Sequence, residues 1–240
     1  MLKLPLKITP CPIVEATVEL KFNSIIPKGA IFGILYNVLK DKFDKVEKLP
    51  TATLPNEIIE NDPNLKYKAL YVLSDGRFTA QVGMDVVSIH SPNNYVGWQE
   101  FSTNIISFFE RINQADIVEQ PLSLTLRYLN FFELDIFQHI NFQVQMLNEP
   151  YQSNNLVIRT ETLQDGFVKV LQIANNVTVS NAIEQRKGSL LDIACVIKNP
   201  ENMFLNISTI INNAHQLEKE LFFGLLKTEF LNTLKPEFNK

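Results

Sequence analysis

The most informative part of the sequence is the segment Leu122-Ser-Leu-Thr-Leu-Arg-Tyr-Leu-Asn-Phe-Phe132, in which apolar side chains recur at every second position from Leu122 to Tyr128. Four of these residues, all apolar or aromatic, fall on one face: Leu122, Leu124, Leu126 and Tyr128. This period of two predicts a β-strand. Leu129 and Phe131 make the other face apolar as well, a pattern typical of a strand buried on both faces. We therefore expect this segment to be a central strand of a sheet.

Strand and helix patterns alternate along the rest of the chain. Alternating apolar residues predict further strands at residues 13–22, 66–73, 77–90, 155–163, 167–173 and 189–197. Apolar stripes with helical spacing predict helices near residues 27–43, 96–112 and 202–234, and residues 49–63 are predicted to be a long loop. The order predicts an α+β fold: a mostly antiparallel sheet with helices packed on one face.

A possible internal sequence repeat raises the hypothesis of two related halves. Asp75-Gly76 and Asp165-Gly166 each separate two predicted strands, and Asp-Gly is a strong hairpin signal. They are either two ordinary hairpins or equivalent turns of a duplicated α+β unit. The second interpretation divides the chain into an N-terminal half, residues 1–133, and a C-terminal half, residues 134–240. The alternative is a single domain over residues 1–240.

Composition and charge narrow the classes of protein that fit. The 240 residues carry a formal net charge of -4, which disfavours a general nucleic-acid-binding surface. No apolar run is long enough for a membrane span, and the N-terminus lacks the apolar core of a secretory signal. Cys11 and Cys195 are too few for a disulfide framework. We expect a cytoplasmic protein with two free thiols and no membrane partner.

Sequence motifs for common enzyme chemistry are missing. The chain has 8 glycines and contains neither a dinucleotide-binding nor a phosphate-binding glycine motif, and it has no Gly-x-Ser-x-Gly. The three histidines, His90, His139 and His215, are scattered, whereas a catalytic zinc needs three ligands. Cys195 lies in an apolar strand, where a buried and inert thiol is expected. We predict no catalytic residue, no metal and no cofactor.

Polar residues inside apolar strands are the remaining candidates for a site. They are Glu15, Glu19, Arg127, Asn130 and Asp192. Because a buried charge is costly without a partner, one hypothesis is structural: Arg127 pairs with a carboxylate, with Glu15, Glu19 and Asp192 as candidates in that order. The other hypothesis is functional, with these side chains lining a cleft that holds an anionic or nucleotide-like ligand.

The C-terminal helix predicts self-association. Phe222, Phe223 and Phe230 give it more apolar surface than a single stripe requires. We therefore expect a homodimer that uses this helix.

Several short motifs together carry a family resemblance over nearly the whole chain. In order they are Pro12-Ile-Val-Glu-Ala16 with Glu19, Tyr95-Val-Gly-Trp-Gln-Glu-Phe101, Leu126-Arg-Tyr-Leu-Asn130, Leu191-Asp192, and His215 followed by Phe222 or Phe223. The set resembles a sporadically distributed prokaryotic family without an established activity, so no catalytic residue carries over. The resemblance implies a cytosolic bacterial or archaeal protein. The family's patchy distribution implies an accessory role of the kind found in defence or toxin–antitoxin loci.

Two classes of function follow. The favoured one is a non-enzymatic binding or regulatory protein that acts through another protein or through itself. The alternative is an enzyme that binds a small molecule or nucleotide near Glu15, Arg127 and Asp192. The missing nucleophile, metal and phosphate motifs favour the first class.

Overall fold

A computed structural model describes residues 4–91, 94–151, 153, 155–180 and 185–238. Its strands, in chain order, are β1 (Ile13–Ser24), β2 (Lys45–Lys48), β3 (Tyr71–Ser74), β4 (Thr79–Val82), β5 (Val86–Ser91), β6 (Val118–Phe132), β7 (Gln145–Met146), β8 (Glu149–Pro150), β9 (Val157–Gln164), β10 (Phe167–Ser180) and β11 (Gln185–Lys198). Strands β7 and β8 form a small hairpin. The other nine form one sheet in the order β2-β3-β4-β5-β1-β6-β11-β10-β9.

The helices pack beside this antiparallel sheet, so the predicted α+β class is confirmed. They are α1 (Lys28–Leu39), α2 (Asn56–Asn61), α3 (Trp98–Gln114), α4 (Met203–Leu225) and α5 (Thr228–Thr233). Short 3-10 helices occupy Pro50–Thr53 and Ile136–Gln138. Within the described ranges, none of the helices combines the length and the apolar character that crossing a membrane requires.

Residue contacts divide the chain into two units. One, here the Glu15 unit, comprises Glu15–Leu126 and Val196–Asn213. The other, here the Arg127 unit, comprises Met1–Val14, Arg127–Cys195 and Ala214–Lys240. Both units are discontinuous in sequence because strands β1, β6 and β11 contribute residues to each. The predicted division between residues 133 and 134 stays a prediction.

The core of the Glu15 unit contains the alternating face of β1 and one face of α3. The fully buried β1 residues are Ala16, Val18, Leu20 and Phe22. Where one strand was predicted over residues 77–90, the structure has β4 and β5 joined by a tight turn. Residues 66–70, predicted to begin a strand, lie outside β3. Gly83 permits the turn, because a Cβ there would lie 2.5 Å from the carbonyl oxygen of Lys68.

The core of the Arg127 unit corrects the prediction for the C-terminus. The long helix ends at Leu225, since Leu226 forms a β-bridge with Ile140 and the Lys227 N–H donates to the His139 carbonyl at 2.9 Å. The three phenylalanines expected to face a second copy are buried in this core: Phe222, Phe223 and Phe230. The apolar surface on which the helix-mediated homodimer rested is therefore used inside the chain.

Both Asp-Gly pairs are hairpin turns, as predicted. Asp75-Gly76 connects β3 to β4, and Asp165-Gly166 connects β9 to β10. The second turn is the tighter one, with Gln164 directly opposite Phe167. The sheet order β1-β5-β4-β3 has a counterpart in β6-β11-β10-β9. This repeated order supports the hypothesis of two related halves.

Candidate functional site

Arg127 and Asp192 form a bidentate ion pair in the Arg127 unit. Arg127 Nε donates to Asp192 Oδ1 at 2.8 Å, and its Nη2 donates to Oδ2 at 2.7 Å. Two parallel charge-assisted hydrogen bonds are the strongest arrangement open to these groups, because the guanidinium fork matches the carboxylate. The prediction that Arg127 bonds a carboxylate is confirmed, and the partner is the third of the three candidates.

The pair lies on the sheet face that points away from the core. Leu191 and Ile193, which flank Asp192, are buried on the opposite face. The Arg127 side chain keeps 44 % of its exposure and the Asp192 side chain 18 %. The expectation that this strand is buried on both faces is therefore wrong at Arg127. Partial exposure leaves the guanidinium hydrated, which avoids most of the cost of desolvating a charge.

Asn130 lies on the core face of β6, where it is buried and hydrogen-bonded to the backbone. It is 1 % exposed, and its Nδ2 donates to the Leu191 carbonyl at 3.0 Å. A buried amide needs such a partner, since an unsatisfied donor costs about 1–3 kcal/mol. Asn130 thus faces away from the Arg127 ion pair, as expected for residues three apart on a strand.

Glu15 and Glu19 belong to the Glu15 unit, on the outer face of β1. Glu19 Oε1 lies 3.5 Å from the Nζ of Lys21. Glu15 Oε1 accepts a hydrogen bond from Thr17 Oγ1 at 3.2 Å and lies 3.2 Å from His90 Nδ1. The other ring nitrogen, His90 Nε2, is 2.8 Å from Ser88 Oγ. The result is a chain of contacts from carboxylate to imidazole to hydroxyl.

The contacts from Glu15 to His90 to Ser88 follow the order of a serine hydrolase triad, but the surroundings of Ser88 do not suit catalysis. Ser88 is 4 % exposed, in the middle of β5. That strand is paired on both sides, Ser88 being opposite Glu19 on β1 and Gln81 on β4. Backbone N–H groups engaged in strand pairing cannot stabilise an oxyanion, whereas acyl transfer requires such donors. The arrangement therefore favours a hydrogen-bond network that holds β1 to β5.

A second polar cluster lies on the core face of the sheet in the Arg127 unit. The Tyr128 hydroxyl and His215 Nδ1 are 3.2 Å apart, and burial lowers the pKa of His215 to about 3. Burial raises the pKa of the Cys195 thiol to about 12, with a further contribution from Glu218. Burial also raises the pKa of Glu218 to about 8. All three groups are uncharged at neutral pH, so Cys195 is not a thiolate nucleophile.

Glu218 is a buried polar residue that the sequence analysis does not single out. It follows His215 by three residues on α4, and it follows the buried Ala214 by four, so it falls on the apolar stripe of the helix. A carboxylate on the apolar stripe of a helix indicates a buried titratable group, so the sequence contained a signal for Glu218. Among the residues that the structure describes, no group of three or more His, Cys, Asp or Glu side chains is arranged to hold a metal ion.

A cavity of about 690 Å³ opens beside the Ile136–Gln138 turn of the Arg127 unit. Its polar lining includes Asp135, Asn141, Asn175 and Lys227. Asn175 is fixed from both sides of its amide: its Nδ2 donates to the Ser153 carbonyl at 2.9 Å, and its Oδ1 accepts from the Leu156 N–H at 2.8 Å. This volume lies within the range of small-molecule sites, about 300–1,000 Å³. None of the five predicted site residues lines it.

Comparison with known protein families finds no match for this chain, and comparison with curated proteins finds none either. The resemblance to the sporadically distributed prokaryotic family therefore stays a prediction.

Proposed function

We propose that this chain is a non-enzymatic binding or regulatory protein that acts in the cytoplasm through a protein partner. The observation that carries the proposal is the outer face of β6, β11 and β10 around the Arg127–Asp192 pair. Partly exposed apolar side chains share that face with the pair: Leu129, Val170, Leu190 and Ala194. An exposed arginine among apolar side chains is the composition of a protein-interface centre, where arginine is enriched.

The chemistry of the described polar groups supports the same class. The candidate carboxylates are engaged with Arg127, Lys21 and His90, and the buried thiol of Cys195 is protonated at neutral pH. Neither arrangement offers a free nucleophile next to an oxyanion site. An accessory role of the defence or toxin–antitoxin type is part of the proposal and rests on the family resemblance alone.

The test uses the chain as bait in an extract of its source organism, with mass spectrometry of the recovered proteins. Wild type and the control variant Glu47→Ala, on the exposed strand β2, are expected to recover one stoichiometric protein. Arg127→Ala is expected to lose that protein while its thermal midpoint stays within a few degrees of wild type. Equal recovery by Arg127→Ala, or the absence of any stoichiometric protein, would contradict the proposal.

A second candidate function is the binding of a small polar ligand, favoured by the cavity beside Ile136–Gln138. Its site differs from the predicted one near Glu15, Arg127 and Asp192. A panel of nucleotides and sugars at millimolar concentration should raise the thermal midpoint if the cavity binds one of them. The shift should disappear in Asn141→Leu and persist in Arg127→Ala. No shift with any compound would leave the protein-binding function as the better one.

A further inference from the structure

Among the residues that the structure describes, β9 is an edge strand of the sheet and pairs with β10. It is 8 residues long, Val-Ile-Arg-Thr-Glu-Thr-Leu-Gln. The strand at the opposite end, β2, has 4 residues, all exposed, with the sequence Lys-Val-Glu-Lys. Short length and edge lysines are the usual protection of a sheet edge against pairing with another chain. The longer β9 has no proline and no lysine, so its edge is a template for strand addition.

The backbone groups that face the open edge follow from the pairing with β10. The Asn175 N–H donates to the Leu156 carbonyl at 3.2 Å, and Gln164 is opposite Phe167 across a two-residue turn. Hydrogen-bonded positions alternate along an antiparallel pair, so the even-numbered residues of β9 bond to β10. The residues whose N–H and C=O groups point to the open edge are therefore Val157, Arg159, Glu161 and Leu163.

The side chains of these same four residues share the outer face of the sheet. Arg159 is opposite Gln172 on β10, whereas the buried Leu171 and Ile173 point to the core. Val157 is 66 % exposed and Leu163 76 %. Arg159 Nη1 lies 2.5 Å from Glu161 Oε1, with both side chains about half exposed. An ion pair this exposed contributes little to stability, so both charges can exchange partners at little cost.

We propose that β9 pairs antiparallel with β9 of a second copy of this chain, about a two-fold axis at Thr160. This register places Arg159 opposite Glu161 of the second copy, and the symmetry repeats the pair. It also places Val157 opposite Leu163 of the second copy, so the two most exposed apolar side chains of the strand cover each other. Each of these pairs is hydrogen-bonded through the backbone groups that face the open edge.

The neighbouring registers are unfavourable, which makes the self-pairing specific. An axis at Arg159 places the two guanidinium groups of the dimer opposite each other. An axis at Glu161 does the same with the two carboxylates. Like charges directly across a strand pair are destabilising. Registers shifted by a single residue direct the open-edge groups away from one another. Of these registers, the axis at Thr160 is the one that pairs opposite charges, covers the exposed apolar side chains and aligns the backbone hydrogen-bonding groups.

Sedimentation equilibrium on the full chain, from micromolar to several hundred micromolar, tests this pairing. The wild-type mass is expected to rise with concentration from 27.5 kDa toward twice that value. Arg159→Glu and Glu161→Arg each place like charges opposite, so each variant is expected to stay at the monomer mass. The double variant restores opposite charges and is expected to dimerise like wild type. A mixture of the two single variants is expected to form a heterodimer, since every cross-strand pair is then complementary.

Glu47→Lys on β2 is the matched control for charge reversal on an exposed edge strand, and it should dimerise like wild type. A wild-type chain that stays monomeric at every concentration would overturn the proposal and leave the edge to a strand of another protein. A dimer that survives both single charge reversals would also overturn it, because the contact would then use another surface. This edge is distinct from the Arg127–Asp192 pair, so Arg127→Ala should leave the self-association unchanged.

Discussion

Replacing Glu218 by glutamine should make the chain more stable above pH 7 and leave its stability nearly unchanged near pH 5. Glu218 is 6 % exposed on α4. Burial raises the pKa of its carboxyl to about 8, whereas the ordinary value, which applies in the unfolded chain, is 4.5. Between these pH values the folded state holds a proton that the unfolded state has released. Stability contributed by the protonated form is therefore complete below pH 4.5 and is lost as the pH rises to about 8.

His215 acts in the opposite direction. Burial lowers the pKa of His215 from 6.5 to about 3, so its stability contribution is present above pH 6.5 and is lost as the pH falls toward 3. One proton corresponds to about 1.4 kcal/mol per pH unit. The two slopes cancel where the titration ranges of Glu218 and His215 overlap. Of these two groups only Glu218 still titrates above that overlap, and wild type should lose about 2 kcal/mol between pH 6.5 and 8.

Urea unfolding followed by circular dichroism, at half-unit steps from pH 5 to 9, measures this loss. The matched control is Glu220→Gln, an exposed residue of the same helix that accepts a hydrogen bond from Gln216 at 2.9 Å. Wild type and Glu220→Gln should lose about 2 kcal/mol over the upper range, and Glu218→Gln should lose almost none. If the free energy of unfolding of Glu218→Gln falls as steeply with pH as that of wild type, Glu218 is not the source of this pH dependence.

Two further predictions concern the backbone and the thiols. Gly188→Ala should destabilise by about 3 kcal/mol in urea unfolding, because the new Cβ would lie 2.0 Å from the Phe132 carbonyl oxygen. The control Gly33→Ala, in open space on α1, should stabilise by about 0.5–1 kcal/mol, and equal effects would contradict the contact. A thiol reagent should label the exposed Cys11 within minutes and the buried Cys195 only after urea is added, as timed mass spectrometry can show. Simultaneous labelling would contradict the burial of Cys195.

Local chemistry explains which parts of the fold could be predicted. The hairpins at Asp75-Gly76 and Asp165-Gly166 were predictable, because an Asp-Gly pair between two strands specifies its own turn. The break between α4 and α5 was not, since Leu226 and Lys227 are ordinary helix residues. That break depends on pairing with Ile140 and His139, which are distant in sequence.

The same distinction holds for the candidate site. The Arg127–Asp192 pair was predictable because a charge in an apolar strand needs a partner whatever the topology. The contacts among Glu15, Ser88 and His90 depend on β1 lying beside β5. The residue pattern within each strand does not indicate which strand will be its neighbour. Glu218 was predictable from its position on the apolar stripe of α4 and was overlooked.

The most direct test of a recognition role for the Arg127–Asp192 pair is a double-mutant cycle on the free energy of unfolding, with Arg127→Ala, Asp192→Ala and the double variant. The geometry is bidentate, but the pair is partly exposed, 44 % and 18 %, so water screens its charges and we expect a coupling of about 1 kcal/mol. The pair would then contribute little to the stability of the fold, as expected if Arg127 serves to bind a partner protein. A coupling of about 3–5 kcal/mol, the cost of breaking a buried pair, would instead identify it as a structural element and contradict the proposed function.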